Sequence, residues 1–241
     1  MKILSIGNSF SQDSHKWLYK LAKACGTDIQ TANLYIGGCS LKMHWDNVVG
    51  DNASYDLEIN GGEGERKISI KEALTLEKWD VITLQQVSHN SGKADTYIPY
   101  LENLYNYVKE ICADAKIYFH QTWAYETDFK GEGFANYNYN QDEMFRRICD
   151  VTEMASKLIN VPLIPTGWVI QKLREEVLEF DYKNGGMTLN RDGFHLTLDY
   201  GRFAAAAIWF RTLTGKSIQI DSFENFDISI LKKIISVVET F

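Results

Sequence analysis

Short apolar runs alternating with amphipathic segments of helical spacing restrict the fold of this chain more than any other feature. Lys2-Ile3-Leu4-Ser5-Ile6 begins the series, and the runs at Asp28–Tyr35, Trp79–Leu84, Lys116–Phe119 and Val161–Pro165 continue it. Between them, Ser14–Cys25 places Trp17, Leu18, Leu21, Ala22 and Cys25 on one face, and Gly26 suits its C-terminal stop. Tyr97–Ala113, Gln141–Leu158, Trp168–Leu178 and Asp199–Leu213 read as further helices, and a last one within 222–239 starts near Asp227. Strands and helices in this rhythm make βαβ units and a mostly parallel sheet, here of five strands. Tyr55–Ile59 and Lys67–Ile70 flank Asn60-Gly61-Gly62 and read as a β-hairpin, part of a surface insertion at about 46–72. With 3 Pro and no Gly- or Ser-rich linker, residues 1–241 are expected to form one domain.

Composition removes several function classes. A formal net charge of -7 without a basic stripe excludes a binder of nucleic-acid phosphates. Cys25, Cys39, Cys112 and Cys149 are widely spaced, so free thiols are expected rather than a zinc site or disulfide framework. The five histidines lack ligand spacing, and neither Gly-x-Gly-x-x-Gly nor a Walker motif occurs, so no metal or cofactor is expected. No apolar run is long enough for a transmembrane helix, so no membrane partner is expected. The first strand starts at residue 2, which leaves a cytoplasmic protein or a mature exported one, with oligomeric state open. Aromatic residues make up 13%, and exposed aromatics suit stacking on sugar rings.

Chemistry-bearing residues gather where the strands end. Gly7-Asn8-Ser9-Phe10-Ser11 follows the first strand, and a serine there can present its hydroxyl above the sheet beside the N–H groups of the next helix. Helix capping alone also accounts for Ser9 and Ser11. Gly37-Gly38 follows the second strand, where backbone N–H groups can face an anion. The third strand ends in Gln85-Gln86-Val87-Ser88-His89-Asn90, a polar block that is costly to bury unless bonded. The fourth ends in His120-Gln121-Thr122-Trp123-Ala124-Tyr125 and leads into a loop containing Tyr137. Near the far end, Asp192 and His195 stand three residues apart, so the carboxylate can accept the Nδ1–H and leave Nε2 as a base.

Gly7-Asn8-Ser9, Gly38, the polar third block and Asp192-x-x-His195, in this order, resemble the SGNH (GDSL-type) hydrolases over residues 3 to about 213, nearest a bacterial branch with Gly-Asn-Ser-Phe and Leu-Gln-Gln blocks. The resemblance implies a flavodoxin-like three-layer α/β/α sandwich and hydrolysis of small acyl esters through an acyl-serine, most plausibly deacetylation of a carbohydrate. It implies Ser9 as nucleophile, His195 as base, Asp192 as its orienter, and the N–H groups of Ser9 and Gly38 in the oxyanion hole. Two blocks depart from the pattern. Asn8 replaces an aspartate, and the third block lacks the Gly-x-Asn-Asp whose Asn donates to the oxyanion. Gln86 is the expected substitute. Gln85, Asn90, His120, Trp123, Tyr125 and Tyr137 are the expected contacts of a small-molecule or glycan ester. The competing reading is a carbohydrate-binding or scaffold protein that kept the fold without the activity.

Overall fold

The computed structural model describes residues 1–241, the side chain of Glu65 excepted. Its strands are β1 (Lys2–Gly7), β2 (Gln30–Tyr35), β3 (Tyr55–Ile59), β4 (Gly64–Ile68), β5 (Val81–Leu84), β6 (Lys116–His120) and β7 (Leu163–Ile164). Its helices are α1 (Ser9–Ala24), α2 (Leu41–Val49), α3 (Ile70–Leu76), α4 (Tyr100–Ile111), α5 (Glu132–Ala135), α6 (Gln141–Leu158), α7 (Thr166–Glu176), α8 (Tyr200–Thr214) and α9 (Ile228–Val238).

The strands form one sheet in the order β4-β3-β2-β1-β5-β6-β7. β1 is central because both its faces are apolar: Ile3, Leu4 and Ile6 are fully buried. It pairs in parallel with β2 (Ile3↔Thr31) and with β5 (Ile3↔Val81). The parallel strands β2-β1-β5-β6-β7 have the doubly wound order in which connections depart to opposite sides of β1. Such a reversal opens a crevice beyond the carboxyl ends of the strands, and β1 ends there one residue before Asn8.

The hairpin does not stand off the surface as an insertion. β3 pairs antiparallel with β2 (Ala32↔Ile59) and β4 with β3 (Tyr55↔Ile68), extending the five parallel strands to a sheet of seven. The pairing covers the N–H and C=O groups β2 would otherwise expose along its edge. α2 was not expected: it buries only Leu41 and His44, too few to give an apolar stripe. α1 also begins earlier than the apolar spacing from Ser14 implied, because Asn8 caps it. Phe10 N–H donates to Asn8 Oδ1 (3.0 Å) and Asn8 N–H donates to Ser11 Oγ (3.1 Å). Capping therefore falls to Asn8 and Ser11, which leaves the Ser9 hydroxyl free for another partner.

Alternate strand residues feed two cores. Ile3 and Val81 pack with α1, α7, α8 and α9 on one face, and Leu4, Ile6, Ile82 and Leu84 pack with α2, α3 and α4 on the other. α8 is buried continuously from Phe203 to Phe210, which its Ala-rich run permits. Its first turn presses on the segment that carries His195. A Cβ on Gly201 would lie 2.6 Å from Leu189 O and 2.9 Å from Thr197 Oγ1. Gly201→Ala is expected to destabilise the protein by about 1–3 kcal/mol through overpacking against backbone, read as a lower midpoint in thermal or urea unfolding.

Candidate active site

Ser9 is the first residue of α1, so its N–H belongs to the helical turn whose donors lack intrahelical partners. Its Oγ lies 2.8 Å from His195 Nε2, and His195 Nδ1 lies 2.7 Å from Asp192 Oδ2. With Nδ1–H donating to the carboxylate, Nε2 is an acceptor for the Ser9 hydroxyl proton. Asp192 Oδ1 also accepts the N–H groups of His195 (2.8 Å) and Phe194 (3.3 Å), which closes the loop around the carboxylate. Partial burial pushes the Asp192 carboxyl up, but the His195 ring and these N–H groups outweigh it and hold it below the usual carboxylate range. Gly193 makes the turn at φ 86°, where a side chain would be strained and its Cβ would meet the Phe129 ring at 2.4 Å.

Buried charge fixes this loop to the helix that starts with Ser9. Asp13, one turn along α1, is fully buried and accepts the Leu196 N–H (2.8 Å), Arg202 Nε (2.7 Å) and Arg191 Nη1 (3.1 Å). Arg191 Nη1 also donates to Leu196 O. Glu126 holds the other side, donating its N–H to Gly193 O (2.7 Å) while its carboxylate accepts from Gln141 (3.1 Å) and Thr188 (2.6 Å). Asp13 escaped the sequence reading; it is the one carboxylate on a buried face of α1 that also takes in Ser11, Ser14 and His15.

A cleft of about 410 Å³ opens over Ser9 and His195. Gly37 and Gly38, Phe10, Tyr35, Tyr125, Phe129 and Phe194, and Ser88, His89 and Glu132 line it. Gly38 takes a left-handed conformation (φ 68°) in the turn after β2, and a Cβ there would meet nothing within 4 Å. The glycine answers the backbone conformation rather than a shortage of space.

Several expected site residues lie elsewhere. Gln86 is buried with its amide committed: Oε1 accepts the N–H groups of Leu41 (3.0 Å) and Val87 (2.8 Å), and Nε2 donates to Thr96 O and Oγ1 (both 3.1 Å). It therefore holds the start of α2 and is not free to donate to an oxyanion. Gln85 is buried too, between Asn8 Oδ1 (2.6 Å) and His120 Nδ1 (2.8 Å). Asn90 lies in a one-turn helix off the cleft wall, and His120 is fully buried. Trp123 supports rather than lines: its ring stacks on Phe10 (centroids 4.2 Å apart) and its Nε1–H donates to Phe194 O (2.7 Å). Tyr137 ties the loop after β6 to the third block through Gly92 N–H (2.9 Å) and His89 O (3.2 Å). Of the expected contacts, Tyr125 does reach the cleft, with its hydroxyl 2.7 Å from Ser88 Oγ. Ser88 and His89 are the third-block side chains at the wall. Asn8 also has a use an aspartate could not serve, since its Nδ2–H donates to Cys39 O (3.0 Å).

Among the described residues, no cluster of three or more His, Cys, Asp or Glu is placed to hold a metal ion, and no helix is long and apolar enough to cross a membrane.

The seven-stranded, mostly parallel sheet flanked by helices is that of the SGNH-hydrolase fold, as comparison with solved structures shows. A protein assigned to the SGNH hydrolases from Slackia heliotrinireducens superposes with a TM-score of 0.60 at 19% identity, over 88% of this chain and 98% of that one. An acetyl xylan esterase superposes with a TM-score of 0.51 at 16% identity, over 87% and 98%. More narrowly, the chain belongs to the DUF4886 family, a domain of unknown function whose model matches residues 2–236. The crystal structure of a DUF4886 protein from Bacteroides uniformis is 36% identical over 100% of this chain and 93% of that one, with a TM-score of 0.91. No curated protein matches the chain.

Asp13→Asn is expected to lower stability by about 3 kcal/mol, the low end for breaking a buried pair because the arginines keep some solvent. At this chain length that is a melting temperature lower by roughly 6–12 °C, measured by calorimetry. Asp192 supplies a second test: its stabilisation is fully present above the ordinary carboxylate pKa and lost as pH falls through its lower folded value. The stability advantage of wild type over Asp192→Asn should accordingly shrink in acid, as urea titrations across that range would show.

Proposed function

We propose that this protein is a serine esterase that removes a small acyl group, acetyl, from a carbohydrate. The observation that carries the reading is the unbroken hydrogen-bond line from Ser9 Oγ through His195 to Asp192, at 2.8 and 2.7 Å, opening into a cleft. Such a line turns a weak nucleophile into an active one. Ser9 Oγ attacks the ester carbonyl while its proton passes to His195 Nε2, and the negative charge goes to the carbonyl oxygen. The N–H groups of Ser9 and Gly38 stabilise that charge at the start of α1. Collapse breaks the bond to the alcohol, which takes the proton from His195 and leaves. Water then attacks the acyl-serine with His195 again as base, releasing the acid and restoring the Ser9 hydroxyl.

Two observations support a sugar as the alcohol. The cleft walls carry five aromatic rings, those of Phe10, Tyr35, Tyr125, Phe129 and Phe194, interleaved with glycines. Phe10 and Tyr125 are buried, but the partly exposed Tyr35, Phe129 and Phe194 offer apolar faces of the kind on which pyranose rings stack. Solved structures of the same fold also include an acetyl xylan esterase and an acetyl-xylooligosaccharide esterase. The commitment of the Gln86 amide to Thr96 favours the competing reading, a glycan-binding protein without turnover.

A serine-directed fluorophosphonate separates the two. Labelling of Ser9 together with hydrolysis of p-nitrophenyl acetate and acetylated xylo-oligosaccharides supports the esterase. A folded protein that does neither is the binding protein. Ser9→Ala should lower kcat by at least about 10³-fold while leaving the melting temperature within about 1 °C of wild type, the usual range for a substitution that opens no cavity.

A further inference from the structure

We infer that His120 is a positioning residue for the oxyanion hole, acting through Gln85 and Asn8 on the Gly38-Cys39 turn. The inference takes the esterase reading above for what that turn does. Four side-chain and backbone groups form a line across the carboxyl ends of four adjacent strands. His120 Nδ1 lies 2.8 Å from Gln85 Oε1, Gln85 Nε2 lies 2.6 Å from Asn8 Oδ1, and Asn8 Nδ2 lies 3.0 Å from Cys39 O. His120 ends β6, and Gln85, Asn8 and Cys39 follow β5, β1 and β2 in turn.

The direction of every bond is dictated from one end. The Phe10 N–H can only donate, and it meets Asn8 Oδ1 at 3.0 Å; the Cys39 carbonyl can only accept, and it meets Asn8 Nδ2. Asn8 is thereby fixed with its oxygen toward Gln85, so the Gln85 atom facing it must be the amide nitrogen. Gln85 then turns its oxygen to His120, which must carry a proton on Nδ1. Burial and the neighbouring His15 push His120 down to about 3, so near neutral pH the ring has one proton to place. Its Nε2 is left as an acceptor 3.4 Å from Ser14 Oγ on α1.

Each link is fully buried, and so leaves no room for water to replace a missing donor. Without the His120 donor, the Gln85 amide is free to shift; Asn8 then keeps the Phe10 N–H but loses the Gln85 donor, and its hold on the Cys39 carbonyl loosens. That carbonyl belongs to the residue after Gly38, whose N–H the esterase reading needs aimed at the cleft it lines. A donor displaced by a fraction of an ångström stabilises an oxyanion less while hardly changing how the ground-state ester binds.

Two substitutions distinguish a proton at Nδ1 from bulk at position 120. Asparagine places its amide nitrogen where Nδ1 lies, and glutamine places its nitrogen near Nε2. His120→Asn is expected to keep kcat for p-nitrophenyl acetate within about threefold of wild type, and His120→Gln to lower it at least about tenfold with KM within about twofold. Equal activity of the two variants, or losses that track their melting temperatures, would overturn the inference. Nitrogen-15 NMR of the imidazole rings in the wild-type protein decides the matter without turnover. A buried, neutral His120 with its proton on Nδ1 supports the line as drawn, and a proton on Nε2 refutes it. That measurement stands even if the protein hydrolyses no ester, so failure of the esterase reading and failure of this one are separable.

Discussion

The buried carboxylate of Asp13 is the interaction on which the geometry of the site depends. Ser9 comes from the first turn of α1, and His195 comes from a loop some 180 residues later with little regular structure of its own. The two meet because Asp13, one turn below Ser9, takes the backbone of Leu196 and the side chains of Arg191 and Arg202. Removing a carboxylate from water is costly, and it is offset here by two guanidinium groups and a backbone N–H. A well-packed apolar contact could hold the loop against the helix as firmly. It would not set the loop along the helix axis to within a hydrogen-bond length, which is what a 2.8 Å contact between Ser9 and His195 demands.

The fold and the site were legible in the sequence to different degrees, for physical reasons. Strands such as Lys2–Ile6 announce themselves as short apolar runs, and helices such as Ser14–Cys25 because burial of one face imposes a period on the chain. α2 did not, since only Leu41 and His44 turn inward, and the hairpin showed its turn but not that β3 would pair with β2. Ser9, Asp192 and His195 were readable as a set because their short motifs, in order, resemble those of the SGNH hydrolases, and the folded chain brings their side chains within hydrogen-bond distance. The polar block after β5 was readable only as an unpaid cost. Which way Gln85 and Gln86 point is decided by Asn8, Thr96 and Leu41, and these come from other parts of the chain.

Assigning the block to structure changes what the aromatic residues mean. Trp123 and Tyr137 were attractive as sugar contacts, yet both are fully buried and spend their polar atoms on Phe194, Gly92 and His89. They shape the cleft from behind. The partly exposed rings at its wall, Tyr35, Phe129 and Phe194, come from the end of β2, the loop after β6 and the His195 loop itself. The His195 loop would therefore both carry a proposed reacting group and meet the substrate through Phe194.

Asp192 and His195 share one turn, bonded both through their side chains and through the His195 N–H. In enzymes whose acid and base are carried on separate elements, any shift between those elements loosens the imidazole and frees it to flip. Here the two would travel as a single rigid body. After any motion of the loop the imidazole would come back to Ser9 already holding its proton on the correct nitrogen.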